Sequence, residues 1–244
     1  MKQSRLLLLA IAGLFGAVSL ALAPVQVSAQ PLTPAAVIAS PIAADSLIAT
    51  KLSSSWPWYL TRASGLIAAV LMVVLLLSGV GLLTGFTYRF LEPLIAWSAH
   101  RAVGIAFTVS VMVHIFSLIF DKFVGFSILD LLVPFKSGYQ PATIAGYKLG
   151  SFYMALGILA MYLIIAIVVT SLLWVNKKQR IWHLVHFTSY AVVAMVFFHG
   201  MFMGTDLKQG FYRWLWVAGG VVIVYAIIRR LLRAGTIRVG KAER

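Results

Sequence analysis

The sequence contains no cysteine and few charged residues. Without cysteine, the chain itself cannot form disulfides, thiolate zinc sites or iron–sulfur clusters. Charged residues make up 11% of the 244 residues and hydrophobic residues 61%, whereas about a quarter of a soluble domain is charged. A water-soluble globule of this size cannot hide so much apolar surface. The composition therefore excludes a soluble enzyme and indicates an integral membrane protein.

Negative charge is the scarcest feature, with 6 acidic residues against 20 basic ones and a net charge of +14. In a soluble protein this excess would suggest nucleic-acid binding. In a membrane protein the basic residues are expected in the loops, where they set topology. We therefore expect contact with membrane lipid and no nucleic-acid partner.

The first 29 residues have the pattern of a secretory signal peptide. Lys2 and Arg5 precede an apolar run from Leu6 to Leu22, and Val27-Ser28-Ala29 offers a small-residue cleavage site. The alternative is an uncleaved first membrane helix, although 17 residues is short for a span. Residues 30–56, rich in proline, alanine and serine, are predicted to be an external linker.

Five further uncharged stretches are predicted to cross the membrane as helices, because lipid offers the backbone no other hydrogen-bond partners. The predicted fold is an all-α polytopic membrane helix bundle, with five spans after a signal peptide or six if that segment is retained. Residues 57–233 form this membrane domain and residues 234–244 a basic tail. The stretches lie between Arg62 and Arg89 (span A), from about Ile95 to Phe120 (span B), between Lys148 and Lys177 (span C), between Arg180 and Asp206 (span D), and between Arg213 and Arg229 (span E).

The densest basic clusters predict the orientation. The C–D loop carries Lys177, Lys178 and Arg180, and six basic residues lie from Arg229 to the C-terminus. Positive loops face the cytoplasm, so the C-terminus is expected there and the start of span A outside. The B–C loop also lies outside in this arrangement. Its segment Phe126–Phe135 is predicted to contain a short amphipathic helix that ends at Pro134.

All five histidines lie on spans B and D. Ionisable residues inside a membrane are costly and usually face a functional partner in the bundle. His100 and His114 are 14 residues apart, a rise of about 21 Å and a rotation of about 40°, so they share one face at two depths. His186 and His199 are 13 apart, with a similar rise of about 20 Å. Because spans B and D run parallel, His100 is expected opposite His186, and His114 opposite His199.

Two such pairs match the axial ligation that low-spin haem iron accepts, in a bundle where cofactor sites are common. Span D does not fit this arrangement as an ideal helix. Over 13 residues, an ideal helix would turn His199 about 140° away from the face that carries His186. Span D must be wound irregularly, with Gly200 as one place where it could loosen, or its haems must be offset. His183 is a possible substitute for His186 as a ligand. If His186 is the ligand, His183 is expected near a haem propionate.

Two arginines beside the histidines have alternative interpretations. Arg101 follows a proposed ligand at the inner rim, and Arg62 lies at the outer rim. Each could pair with a haem propionate, or each could simply mark topology.

The chain resembles a known family at several of these positions. They are the segment Trp58-Tyr59-Leu60-Thr61-Arg62-Ala63-Ser64-Gly65, His100-Arg101 with His114, Trp182 to His186 with Tyr190 and His199, and His199-Gly200 through Gly204-Thr205-Asp206. On the basis of these segments, residues from about Trp58 to Leu232 resemble the ferric reductase-like transmembrane domain. This domain is shared by ferric reductases, NADPH oxidases and the haem subunit of the methionine sulfoxide reductase system. The opening WYLTRASG is similar to bacterial members, which implies a bacterial inner membrane. The resemblance implies two b-type haems, with His100, His114, His186 and His199 as iron ligands, and electron transfer across the membrane.

The chain departs from ferric reductases in one respect. Only 11 residues follow Arg233, with no room for a flavin and nicotinamide module. An oxidoreductase subunit of this kind would take electrons from a separate flavoprotein, from quinol or from another redox partner protein. It would deliver them to an external acceptor such as ferric iron, oxygen or a periplasmic redox partner. The alternatives are a transporter whose intramembrane histidines carry metal or protons, and a scaffold whose histidines only form hydrogen bonds.

Overall fold

The computed structural model describes residues 41–122, 124–140, 143–144, 147–208 and 210–242, with side chains between residues 55 and 232. This part of the chain contains five helices long and apolar enough to cross a membrane. They follow spans A to E in order and confirm the all-α polytopic bundle. The predicted signal peptide lies outside the described residues. The five spans are Ser55–Thr84, Pro93–Ile119, Gly150–Leu173, Gln179–Met203 and Gly210–Leu232.

The helices and strands are numbered along the described chain. They are α1 (Pro41–Thr84), α2 (Pro93–Ile119), α3 (Ile128–Leu132), β1 (Thr143–Ile144), β2 (Tyr147–Lys148), α4 (Gly150–Leu173), α5 (Gln179–Phe187), α6 (Ser189–Met203) and α7 (Gly210–Ala242). A short 3-10 helix, Thr87–Arg89, lies between α1 and α2. Helices α5 and α6 are the two parts of span D, and the strands β1 and β2 form a two-residue antiparallel ladder.

Two helices are longer than the sequence predicted. Helix α1 begins at Pro41, so residues 41–56 of the predicted linker are helical. Helix α7 continues to Ala242, so most of the predicted tail 234–244 is helical as well. The first extension contains three alanines and two leucines, which helices accept readily.

A short turn makes α1 and α2 antiparallel neighbours. Helix α1 ends at Thr84, and Gly85 follows with a φ of +73°, the left-handed conformation common just beyond a helix. Helix α2 then begins with Pro93, whose fixed φ and missing N–H suit the first helical position. This pairing brings Trp56 and Thr61 of α1 beside Phe120 and Ser117 at the end of α2.

The packing distinguishes a buried core from an apolar outer surface. Core side chains come mainly from α1, α4, α6 and α7, with examples in Met72, Tyr153 and Trp216, and α2 contributes Phe107. Other large apolar side chains point outward, and Val70 and Leu184 are 64% and 72% exposed. Such a surface would be a liability in water, but lipid tails are as apolar as leucine. The distribution therefore fits a bundle surrounded by lipid.

The connection between α2 and α4 contains the short helix expected there. Ser127 accepts a hydrogen bond from the Asp130 N–H, while Asp130 accepts one from the Ser127 N–H, which makes a capping box. Val133 is extended and ends α3, because the residue before a proline avoids helical backbone. We call the end of the bundle with this connection and residues 204–208 the loop end. The opposite end, with the turns 85–92 and 174–178, is the basic end.

Candidate cofactor site

Four of the five histidines form two pairs, one at each end of the bundle. His100 and His114 lie on α2, His186 lies on α5 and His199 lies on α6. His100 faces His186 at the basic end, whereas His114 and His199 border one cavity at the loop end. The structure thus brings together the partners that the spacing predicted.

The basic-end pair leaves room for one metal ion between its rings. The ring centroids of His100 and His186 are 6.3 Å apart, and the ring planes are inclined by 56°. Two metal–imidazole bonds of about 2 Å each span most of that separation. The remainder is the distance from each nitrogen to the centre of its own ring. This spacing fits an iron atom bound axially by one nitrogen from each side.

His183 occupies a different position from His186. It is exposed, and its ring packs against Trp182 at a centroid distance of 4.5 Å. His186 is half-buried and lies on the side of α5 that faces His100. The placement favours His186 over His183 as the partner of His100.

Span D is interrupted between its two histidines. Helix α5 ends at Phe187 and α6 begins at Ser189, with Thr188 as the cap of both. The Thr188 N–H donates to Val185 O at 3.0 Å, and its hydroxyl donates to the same oxygen at 2.6 Å. A threonine bonded back to its own helix commonly bends it, and a tightened turn increases the rotation per residue. The irregular winding expected of span D is therefore present, at Thr188 rather than at Gly200.

The loop-end pair borders an apolar cavity of about 220 Å³. His114 and His199 reach it from α2 and α6, and its apolar lining includes Phe107, Met154 and Met161. Leu131 of α3 is buried and also lines this cavity. A concave, mostly apolar site with a few convergent polar groups is the usual form of a cofactor pocket.

Main-chain carbonyls fix the tautomer of both loop-end histidines. His114 Nδ1 lies 2.9 Å from Thr61 O, and His199 Nδ1 lies 2.9 Å from Tyr153 O. A carbonyl oxygen only accepts, so Nδ1–H of each ring is the donor. The lone pair of each ring is then on Nε2, which is the arrangement of a metal-ligating histidine with its other nitrogen bonded to a carbonyl.

Serine hydroxyls take the place of these carbonyls at the basic end. Ser78 Oγ lies 2.8 Å from His100 Nδ1 and donates its own proton to Leu75 O. It therefore accepts from His100 Nδ1–H, which again leaves Nε2 with the lone pair. Ser171 Oγ accepts from Trp182 Nε1–H and lies 3.5 Å from His186 Nδ1, the longest of these four contacts.

The donor set fits a haem better than a single metal ion. In the described part of the chain, no group of three or more histidine, cysteine or acidic side chains is placed to hold a metal. A protein-bound zinc ion usually takes three or four protein ligands. A porphyrin supplies four nitrogens of its own, so its iron needs only the two axial imidazoles that each pair offers.

An ion pair that the sequence did not predict closes the rim of the loop-end cavity. Arg62 on α1 donates from Nε to Asp206 Oδ2 at 2.9 Å and from its terminal nitrogen to Asp206 Oδ1. The guanidinium also lies over the ring of Trp58 at 5.7 Å. These hydrogen bonds hold the pKa of the Asp206 carboxyl below its usual value. Arg62 therefore has a protein partner at the position where a propionate contact was predicted.

Arg101 lies beside the basic-end pair. It follows His100 directly and is exposed. This position suits both interpretations, the propionate contact and the topology marker. Both interpretations of Arg101 therefore stay predictions.

Several supporting residues were not predicted, although the sequence contains a signal for some of them. Gly65 and Gly79 are 14 residues apart on α1, the separation of His100 and His114 on α2. Gly157 and Ser171 are also 14 apart on α4. Equal spacing on antiparallel neighbours places equivalent residues at equal depths. Asp206 gave no such signal, because only the fold brings the loop after α6 to α1.

Comparison with known proteins gives one match. Residues 64–198, more than half of the chain, match the sequence model of a family described as "Ferric reductase like transmembrane component". The matched segment contains His100, His114 and His186 and ends one residue before His199. No curated protein and no solved structure matches the chain.

Proposed function

Because the chain belongs to the ferric reductase-like transmembrane family, whose members transfer electrons across membranes, we propose that it is a dihaem electron conduit. Residues 57–233 would hold two b-type haems. His100 and His186 would ligate one iron, and His114 and His199 the other. When bound, the haems supply a one-electron redox centre at each of two depths.

The two histidine pairs are the observation on which this proposal depends. One pair has ring centroids 6.3 Å apart, and the other shares an apolar cavity. Three of the four rings keep the Nε2 lone pair because Nδ1–H is bonded to Thr61 O, Tyr153 O or Ser78 Oγ. A pair of neutral imidazoles ready to ligate iron, repeated at the two ends of the bundle, is what a transmembrane conduit requires.

The other residues of the two sites bind and shield. The apolar lining around His114 and His199 excludes water and keeps the local dielectric low. Leu131 and the pair Arg62–Asp206 cover that cavity at the loop end. Arg101 is exposed beside His100 and would meet a propionate at the basic end.

The charge distribution supports one orientation of the bundle in the membrane. We place the basic end in the cytoplasm of a bacterial cell, because Lys177 and Lys178 lie in one of its turns and Arg180 follows at the start of α5. A separate flavoprotein, quinol or another redox protein would donate there. The loop end would then face the outside, where ferric iron or a periplasmic redox partner would accept.

Reconstitution tests the proposal. Purified protein is placed in lipid vesicles with ferricyanide trapped inside, and dithionite is added outside. We expect a haem spectrum and protein-dependent reduction of the trapped ferricyanide, both lowered in the His199→Ala variant. A colourless protein that binds zinc would instead support a histidine-based metal transporter. A colourless protein without metal affinity would support a scaffold.

A further inference from the structure

We propose that small residues on α1 and α4 are positioning residues that set the orientation of the four histidine rings. This inference rests on the proposed function and goes beyond it, because it assigns to Gly65, Gly79, Gly157 and the serines Ser78 and Ser171 a role in holding the ligands. Each ring contacts one of these residues on a neighbouring helix.

The closest contact is between Gly157 of α4 and His199. A Cβ added at Gly157 would lie 2.6 Å from both Nδ1 and Cε1 of the imidazole, a distance that real Cβ atoms essentially never show. One turn earlier on α4, Tyr153 O accepts the Nδ1–H of the same ring. The ring edge is thus held between a carbonyl and a glycine four residues later.

The same arrangement recurs on α1. A Cβ at Gly65 would lie 3.0 Å from His114 Nδ1 and 3.2 Å from Cε1. Thr61 O, four residues earlier, accepts the Nδ1–H of His114. Gly65 therefore has the same relation to Thr61 and His114 as Gly157 has to Tyr153 and His199.

At the basic end the contact is made by the adjacent residues Ser78 and Gly79. A Cβ at Gly79 would lie 3.1 Å from His100 Cε1, while Ser78 Oγ accepts from His100 Nδ1–H. On α4, Ser171 lies beside His186, 14 residues after Gly157 as Gly79 is 14 residues after Gly65. Helices α1 and α4 thus place small residues at the same 14-residue spacing beside the histidines of α2 and of α5–α6.

These contacts distinguish the glycines from those that merely allow helices to pack. A Cβ at Gly219 would meet only Val73, at 3.9 Å, and a Cβ at Gly220 would meet the ring of Phe197 at 2.5 Å. Neither touches a histidine. At Gly65, Gly79 and Gly157 the nearest atoms all belong to an imidazole, so an added methyl group would tilt a ligand and redirect its Nε2.

The test substitutes the glycines in the full-length protein and measures haem per chain, the midpoint potential of each haem, and thermal stability. Gly157→Ala is expected to lose about half of the haem, because one of two ligand pairs is disturbed. Gly65→Ala, with a longer contact, is expected to shift the potential of the loop-end haem. Gly79→Ala is expected to shift the basic-end haem by less.

Two control variants make the result interpretable. Gly219→Ala is expected to leave haem content, potentials and stability unchanged. Gly220→Ala is expected to lower stability through the Phe197 overlap while both haems keep their potentials. If Gly157→Ala does not accumulate, Gly65→Ala and Gly79→Ala decide the question, since their overlaps are smaller.

The outcomes separate this inference from the proposed function. Haem-loaded wild-type protein whose Gly65→Ala and Gly79→Ala variants keep both potentials would overturn the positioning role and leave the conduit intact. Wild-type protein without haem would overturn the proposed function itself. Shifts in the assigned haem alone, with both haem potentials unchanged in the control variants, support the inference.

Discussion

The two ends of the bundle hold their histidines by different means. At the loop end, main-chain carbonyls accept from His114 and His199, and the ion pair Arg62–Asp206 lies at the rim of their cavity. At the basic end the partners are the hydroxyls of Ser78 and Ser171. A carbonyl acceptor belongs to the helix and survives any side-chain substitution, whereas a hydroxyl depends on one residue. The hydrogen-bond acceptors of the loop-end histidines are therefore fixed by the backbone, whereas a single substitution can remove an acceptor at the basic end.

The largest expected effect comes from removing the ligands themselves. His199→Ala and His186→Ala should each lose about half of the haem and leave the other haem with its own potential, as measured by a redox titration of the visible spectrum. His183→Ala is the matched control on α5 and should keep both haems. Loss of the same spectral component in both ligand variants would contradict the assignment of one pair to each end.

A smaller effect is expected from the ion pair, which lies at the loop end. Arg62 bonds to Asp206 and holds the pKa of the carboxyl below its usual 3.8. A carboxyl of this kind stabilises the fold above its unfolded pKa, and the contribution is lost as the pH falls through the lower folded pKa. Because the arginine side chain is 38% exposed, solvent limits the contribution to about 1 kcal/mol or less.

Asp206→Asn removes this charge with little change of shape. Thermal unfolding in detergent should show wild type more stable than Asp206→Asn at pH 7 and at pH 5, with the difference shrinking once the pH falls below 3.8. Glu92→Gln is the control, because this exposed acidic side chain at the start of α2 makes no capping hydrogen bond. A wild-type advantage that grew as the pH fell would contradict the ion-pair interpretation.

The smallest expected effect tests whether the hydroxyl acceptor at the basic end influences the potential of the haem there. Ser78→Ala removes the acceptor of His100 Nδ1–H, so we expect a shift in the potential of the basic-end haem with little loss of haem. Ser78→Thr keeps a hydroxyl and should restore the wild-type potential. A shift in the loop-end haem instead, or an equal shift in Ser78→Thr, would break the distinction between the two ends.

The spacing of residues along the chain predicted the fold and the pairing of histidines well. Uncharged stretches located all five spans, because lipid requires long apolar helices and tolerates few charges. The separation of His100 from His114 fixed their two depths, since helix rise is constant. The structure then placed His186 rather than His183 opposite His100.

Contacts between distant segments could not be predicted in the same way. Asp206 meets Arg62 across 144 residues, and nothing local to either residue indicates the other. The irregular turn at Thr188 was expected somewhere on span D, but its position depends on the bond from the threonine hydroxyl to Val185 O. The helical start of α1 at Pro41 was missed because proline-rich composition suggested a linker.

Haem quantification on the purified wild-type protein tests the central claim most directly. A pyridine haemochrome assay of protein from haem-replete cells should give about two b-type haems per chain, because two histidine pairs offer two sites. A folded, monodisperse preparation with no haem, or with one haem that survives replacement of either pair, would contradict the account.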